Sequence, residues 1–301
     1  RAIAPGFPYI DKQIEYPVII GFLIQFAAFV GHTRVGYYLA NMILLLIFTF
    51  FSTYFLYKIT PENRRNKFWI YWVFAPSMII FSVYNWDIIA IFFSLCAFYM
   101  MRKNRDYAAS FFLSLGFSAK FFPAIYLLPL LIKQKTWAAR AKVAGIFAAA
   151  FLALNGFFML RYFPSWSYFW SYNQMRDPNP DSVWTIFRFF IWPLDIKSVN
   201  FISLLLFAGS FFYICWKYRR ESVLKLCFAG TILFLIFNKI FSPQYILWLL
   251  PFFVVFYAPP KKWFYLLELS NLAVLFSILP WFFFGQNICL NPAYFSYRDF
   301  F

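Results

Sequence analysis

Histidine is nearly absent from the 301 residues, His32 being the only one. No cluster of imidazoles can therefore hold zinc, and no Ser-His-Asp relay can be built without that one side chain. Cysteine is scarce as well. Cys96, Cys215, Cys227 and Cys289 show no metal-ligand spacing, and three of them sit in apolar runs, where they read as inert packing residues. Charge is thin: 13% of residues are charged, with 11 Asp and Glu against 27 Lys and Arg, whereas an ordinary soluble domain is about 25% charged. Hydrocarbon fills the gap, since 63% of residues are apolar and the aromatics comprise 47 Phe, 21 Tyr and 12 Trp. A folded sphere of this size could not hide so much apolar surface from water, so the natural solvent for most of the chain is a bilayer.

The net charge of +16 is patterned. Basic residues gather at Lys58 to Lys67, Arg102 to Arg105, Lys133 to Lys142, Lys217 to Lys225 and Lys261 with Lys262, which hold 17 of the 27. Each cluster lies between apolar stretches, as cytoplasmic loops do, and that distribution argues against a nucleic-acid partner. Apolar spans are predicted at Tyr37 to Tyr57, Ala141 to Leu160, Val199 to Trp216, Leu224 to Phe241, Tyr245 to Tyr257 and Trp263 to Phe284. Phe68 to Met101 is too long for one helix and carries Asn85-Trp86-Asp87 in its middle, so it is predicted to enter and return as a hairpin. Tyr107 to Ile132 is interrupted by Lys120 and Pro123 and is predicted as two short helices. Broken helices at membrane depth are tolerated only where they line protein or a watery cavity.

If Pro17 to Phe29 spanned the membrane, the basic loop Lys58 to Lys67 would fall outside, against the positive-inside rule. Tyr16 to Phe29 is therefore expected to lie on the outer face, with Arg1 to Tyr16 as an outer loop. Asn85, Asp87, Lys120, the stretch from Arg161 to Trp184, Lys239 to Tyr245 and the tail from Gln286 then share the outer side. The expected architecture is an all-α, polytopic membrane helix bundle with broken or re-entrant helices and an outer-face site. It forms one integral membrane domain over 1–301, with the outer loop and interfacial helix in 1–36 and the transmembrane bundle in 37–301. The chain opens on Arg1 in a polar stretch without a signal pattern, so a further membrane helix is expected upstream.

An ionisable residue in a membrane segment is costly and thereby suggests a site. Lys120 and Lys239 are the strongest cases, each beside a proline-containing break where an ammonium can meet a lipid phosphate; snorkelling to the headgroups and a turn capped by Ser242 are the plainer alternatives. Asp87 opens a helix, where it can cap the N-terminus or, with Asn85, bind a sugar or shape the cavity floor. The aromatics from Tyr162 to Trp184 suit sugar stacking or an interfacial belt, and Arg176 and Arg188 suit phosphate. Asp11 and Glu15, just before Tyr16-Pro17, are carboxylates near those lysines, either solvated or placed to deprotonate an acceptor hydroxyl.

Pro8-Tyr9, Glu15-Tyr16-Pro17-Val18, Asn85-Trp86-Asp87, Lys120-Phe121-Phe122-Pro123 with Leu128-Pro129, and Ser242-Pro243-Gln244-Tyr245-Ile246-Leu247-Trp248-Leu249-Leu250-Pro251 occur in this order. In these motifs the chain resembles the polytopic C-type glycosyltransferases that use polyprenyl-phosphate sugars, and among them glycosyltransferase family 87, over most of its length. The resemblance implies transfer of a sugar, of mannosyl type, from a polyprenyl-phosphate donor to a lipid or glycan acceptor on the outer side of the cell membrane, with inversion. It implies no nucleotide sugar and makes no metal evident. The family's base is an aspartate of the first outer loop, commonly upstream of the Pro-Tyr and Tyr-Pro pairs; Asp11 and Glu15 are the candidates within this chain. Lys120, Lys239, Gln244 and Tyr245 match the motifs and are expected to line the donor phosphate pocket, with Tyr16, Asn85, Asp87, Arg188 and Ser242 as further substrate-binding candidates. A lipid-linked-sugar flippase or transporter, and a non-catalytic membrane subunit, remain the alternatives.

Overall fold

The computed structural model describes residues 6–284, and among them it contains helices and no strand. Cys289 and the tail from Gln286 lie outside the described residues. Fourteen α-helices occur among those described: α1 Val18–Gly31, α2 Arg34–Ile59, α3 Arg65–Phe68, α4 Pro76–Phe81, α5 Asp87–Arg102, α6 Asp106–Ala119, α7 Leu127–Lys133, α8 Trp137–Arg161, α9 Phe163–Met175, α10 Val183–Phe190, α11 Ile196–Lys217, α12 Val223–Phe237, α13 Leu250–Val255 and α14 Lys261–Phe284. Residues up to Ala258 form one compact unit. From Pro259 onward a second unit carries the 24-residue α14.

α2, α8 and α11 contain 26, 25 and 22 residues and are long and apolar enough to cross a bilayer, which requires about 20. α1 has 14 residues, about 21 Å at 1.5 Å per residue, too short to cross. It ends in a tight corner, where Gly31, His32 at φ 51° and Thr33 turn the chain into α2. A Cβ on Gly36 would collide with the Gly31 carbonyl, so the corner requires glycine.

The interrupted regions break where the sequence predicts. Between Phe68 and Met101 the chain runs through a π-helical turn, Trp69–Val73, then the short α4, and reverses at residues 82–86 into α5. Beyond α6, Lys120 leaves helical geometry at φ −156° and ψ 144°, and the chain folds back as a 3-10 turn, Phe122–Tyr126, before α7. Pro123 seats this return against the glycine face of α6; a Cβ at Gly116 would lie 2.8 Å from it.

Two expected spans differ. α12 stops at Phe237, because Asn238 turns to an extended ψ of 135°. The stretch from Tyr245 is a 3-10 turn, Pro243–Trp248, followed by the six-residue α13. Pro243 and Pro251 each lack an N–H, so neither can lie inside a continuous helix without losing a bond. The stretch after Arg161, expected as an outer loop, contains the 13-residue α9, with Pro164 in its first turn, where a missing N–H costs nothing.

Polar bonds inside the bundle fix its register. Ser110 and Ser114 on α6 donate to the Val143 and Phe147 carbonyls of α8 at 2.6 and 2.8 Å, and Asn155 donates to the Ser118 hydroxyl at 3.0 Å. The ladder advances four residues at a time along α6, from Ser110 to Ser114 to Ser118, and these small hydroxyl side chains let the backbones approach closely. The basic loops cap helix ends. Arg102 donates to the Ile59 carbonyl at the end of α2, Arg64 reaches the Val254 and Phe253 carbonyls at 2.9 and 3.2 Å, and Lys133 pairs with Asp106 at 3.0 Å. Cations are favoured where carbonyls end a helix. The breaks at Asp87, Lys120 and Pro243 meet at the opposite ends of the helices concerned.

Candidate active site at the broken helices

Asp87 is the first residue of α5 and is fully buried. Asn85 sets its position by accepting the Asp87 N–H at 2.9 Å, a side-chain turn that starts the helix. One carboxylate oxygen accepts a bond from the Lys120 ammonium. The other accepts the Trp248 indole N–H at 3.0 Å. A carboxylate at the start of a helix also faces the positive end of its dipole.

Trp248 is sandwiched. Phe122 stacks on one side at 4.1 Å and 16°, and Tyr245 on the other at 4.2 Å and 26°. The Lys120 ammonium lies 5.4 Å from the centre of the Tyr245 ring, within cation–π range. Ser242 holds the same turn through its carbonyl, which accepts the Tyr245 N–H at 2.8 Å. Tyr16 packs edge-on against Trp86 at 4.9 Å and shares electrostatic neighbours with this group: Lys120, Asp87, Glu15 and Tyr245. Four breaks in the chain, at Tyr16, Asn85, Lys120 and Ser242, thus contribute to one cluster. Gln244 is half-buried beside it, and its amide makes no hydrogen bond among the described residues.

Lys239 belongs to a neighbouring layer. Its ammonium donates to the Gln174 and Arg176 carbonyls at 2.9 and 2.6 Å, which ties the turn after α12 to the end of α9. Asn179 closes the same junction from the other side, its N–H bonding the Lys239 carbonyl at 2.9 Å and its amide the Phe241 carbonyl at 2.5 Å. Burial lowers the Lys239 pKa to about 8; the Asp177 carboxylate opposes that shift and the Arg176 guanidinium adds to it. Arg176 also acts on Tyr245, so its charge links this layer to the Lys120 cluster. Arg188 pairs with Asp177 at 3.1 Å near the surface.

Asp11 is exposed and accepts the Phe7 N–H at 2.7 Å, closing its own turn. Glu15 is half-buried and next to Tyr16. The opening loop is held by Tyr9, whose hydroxyl donates to the Tyr16 carbonyl at 2.7 Å. The same ring passes close to Gly21, where a Cβ would strike the phenol oxygen.

Sequence reasoning passed over two residues. Trp248 stood inside a quoted motif, but nothing local marks its indole as the partner of a carboxylate 161 positions away. Asn155, a lone amide in an apolar helix, holds Ser118 and Phe151 through its NH2 and receives the Trp166 indole at 3.0 Å. It borders a small cavity of about 10 Å³, room for roughly one water, walled by Tyr9, Val18, Phe117, Phe151, Trp166 and Trp170. Among the described residues, no three His, Cys, Asp or Glu side chains gather in a way that would hold a metal ion.

The family model described as glycosyltransferase family 87 matches residues 16–243, well over half of the sequence. The chain belongs to glycosyltransferase family 87. The match begins at Tyr16 and takes in Asp87, Lys120 and Lys239. Two curated relatives are named GPI mannosyltransferase 1: the one from Kluyveromyces lactis is 23% identical over 200 residues, covering 60% of this chain and 49% of the relative, and the one from Trypanosoma brucei brucei is 23% identical over 237 residues, covering 69% and 55%. The chain spans about half the length of these relatives. No solved structure matches.

Proposed function

We propose that this family 87 chain transfers a sugar, in particular mannose, from a polyprenyl-phosphate donor to a lipid or glycan acceptor on the outer side of the cell membrane, with inversion at the anomeric carbon. Membership of the family supports glycosyl transfer, and the names of both relatives support mannose. The observation that carries the reading is the buried Lys120–Asp87 pair, bound to Trp248 and facing Tyr245 where four chain breaks meet. A buried ion pair with no part in chemistry could be replaced by hydrocarbon at little cost or even with gain.

In a single displacement the acceptor oxygen forms the new bond to C1 as the bond from C1 to the phosphate oxygen breaks. The electron pair stays on the phosphate, which gains a negative charge, and the acceptor proton passes to a carboxylate. Positive groups already in place stabilise the charge that develops on the phosphate. Lys120, Lys239 and Arg176 are the cations of this region; Arg176 offers a planar fork suited to phosphate oxygens. Gln244 has an amide to spare for a sugar hydroxyl or a phosphate oxygen. Of the two carboxylates in the opening loop, Glu15 is the better-placed base, because it is half-buried and acts on Tyr16 within the cluster, whereas Asp11 is exposed. The positive-inside rule supports the outer side, since the basic loops belong to the other ends of the helices.

The test reconstitutes the purified chain in lipid with radiolabelled polyprenyl-phosphate mannose and mixed lipid acceptors, with GDP-mannose as the comparison donor. Label appearing in acceptor from the polyprenyl donor alone is the expected result. Transfer from GDP-mannose, or movement of the donor across the bilayer without transfer, would overturn the proposal.

A further inference from the structure

α10 presents an unusual face. Val183, Ile186, Phe189 and Phe190 point outward, followed by Ile191 and Trp192, and the two phenylalanines are 81% and 76% exposed. The opposite side is fastened down. Trp184 is buried and donates to the Phe237 carbonyl at 2.6 Å, Ser182 caps the helix, and Thr185 bonds the Asn179 carbonyl at 2.6 Å. The apolar face is therefore a rigid platform and not a frayed end.

We propose that α10 is an interfacial helix whose apolar face is seated in the lipid of the outer leaflet. Depth is the first argument. The Phe237 carbonyl that holds Trp184 is also bonded by Ser203 of α11, seven residues into that 22-residue membrane helix, or about 10 Å along its axis. Interfacial helices lie about 5–10 Å into the headgroup and acyl boundary. Continuity is the second. Phe201, Leu204 and Leu205 on α11 are exposed apolar side chains of a membrane-crossing helix, and the chain passes from Trp192 to the Asp195 cap of that helix in three residues. Aromatic residues are favoured at this level of a bilayer. Through Thr185 and Asn179 the lipid-seated helix is joined to the turn that carries Lys239. The proposal is independent of the chemistry at Asp87 and Lys120.

The experiment labels single cysteines with a nitroxide, in the full chain with Cys96, Cys215, Cys227 and Cys289 replaced by alanine, in phosphatidylcholine nanodiscs. Phe190→Cys and Ile186→Cys report the face independently, so either suffices if the other misfolds. Leu204→Cys gives the lipid reference and Glu62→Cys the water reference. Labels at 186 and 190 are expected to relax with oxygen and to be shielded from a water-soluble nickel chelate, as at 204. Chelate access like that at 62 would overturn the proposal. So would shielding from both reagents, which would mean that protein covers the face.

Discussion

Asp87 and Trp248 meet through an indole N–H to carboxylate bond of 3.0 Å, although 161 positions separate them. The bond joins the start of α5 to the 3-10 turn after α12, and the Lys120 ammonium occupies the second oxygen of the same carboxylate. Three segments that are remote in sequence are thereby locked by one anionic side chain.

Removing either partner of the Asp87–Lys120 pair leaves a buried charge without its counter-charge. Asp87→Asn and Lys120→Met are each expected to destabilise the fold by about 3–5 kcal/mol, and the double variant by much less than the sum. Unfolding measured in nanodiscs as a double-mutant cycle checks this; additive effects would show that the two side chains are not energetically paired.

Trp248→Phe keeps a ring between Phe122 and Tyr245 but loses the N–H to Asp87, at an expected cost of about 1–3 kcal/mol. Trp248→Leu also forfeits the two stacked contacts, worth roughly 0.5–1.5 kcal/mol each. Thermal unfolding should therefore rank wild type above Phe above Leu, and equal midpoints for the Phe variant and wild type would deny the bond any weight.

The fold was legible wherever an apolar run of the right length was bounded by charge. α2, α8 and α11 were read for that reason, and the breaks near Asn85 and Lys120 because polar or proline residues interrupt such runs. α13 was misread because Tyr245 to Tyr257 is apolar enough to span, and hydropathy does not register that Pro243 and Pro251 remove helical N–H groups. At the site, Lys120 was conspicuous as a charge in hydrocarbon. Its partner was read as a helix cap or sugar ligand, since Asp87 does open a helix; the indole that completes its shell comes from a distant turn that no local pattern connects to it.

Gly21 bears the Tyr9 ring, which in turn holds the Tyr16 carbonyl. Gly21→Ala is expected to displace Tyr9 and loosen the loop carrying Glu15 and Tyr16, lowering transfer several-fold while the bundle stays folded. Proteolysis of the opening loop should accelerate in the same variant, and an unchanged cleavage rate would count against the role given to Tyr9.

Lys239 carries the pH dependence. With its pKa near 8, below the ordinary 10.5, the ammonium is present below pH 8 and is progressively lost above it. The unfolded chain keeps that proton up to about 10.5, so this group makes stability rise with pH between 8 and 10.5, while any step that needs its charge slows. A pH–rate profile should fall above about 8 in wild type and extend higher in Lys239→Arg, whose guanidinium does not lose its proton. Identical alkaline limbs would remove Lys239 from the step.

The most direct measurement is the transfer rate of Lys120→Met, normalised to folded protein by gel filtration, with polyprenyl-phosphate mannose as donor. A turnover at least about a hundredfold below wild type, with folded protein still recovered, is expected if the ammonium stabilises the charge developing on the leaving phosphate. An unchanged rate would contradict the placement of the reaction at the Asp87–Lys120 pair.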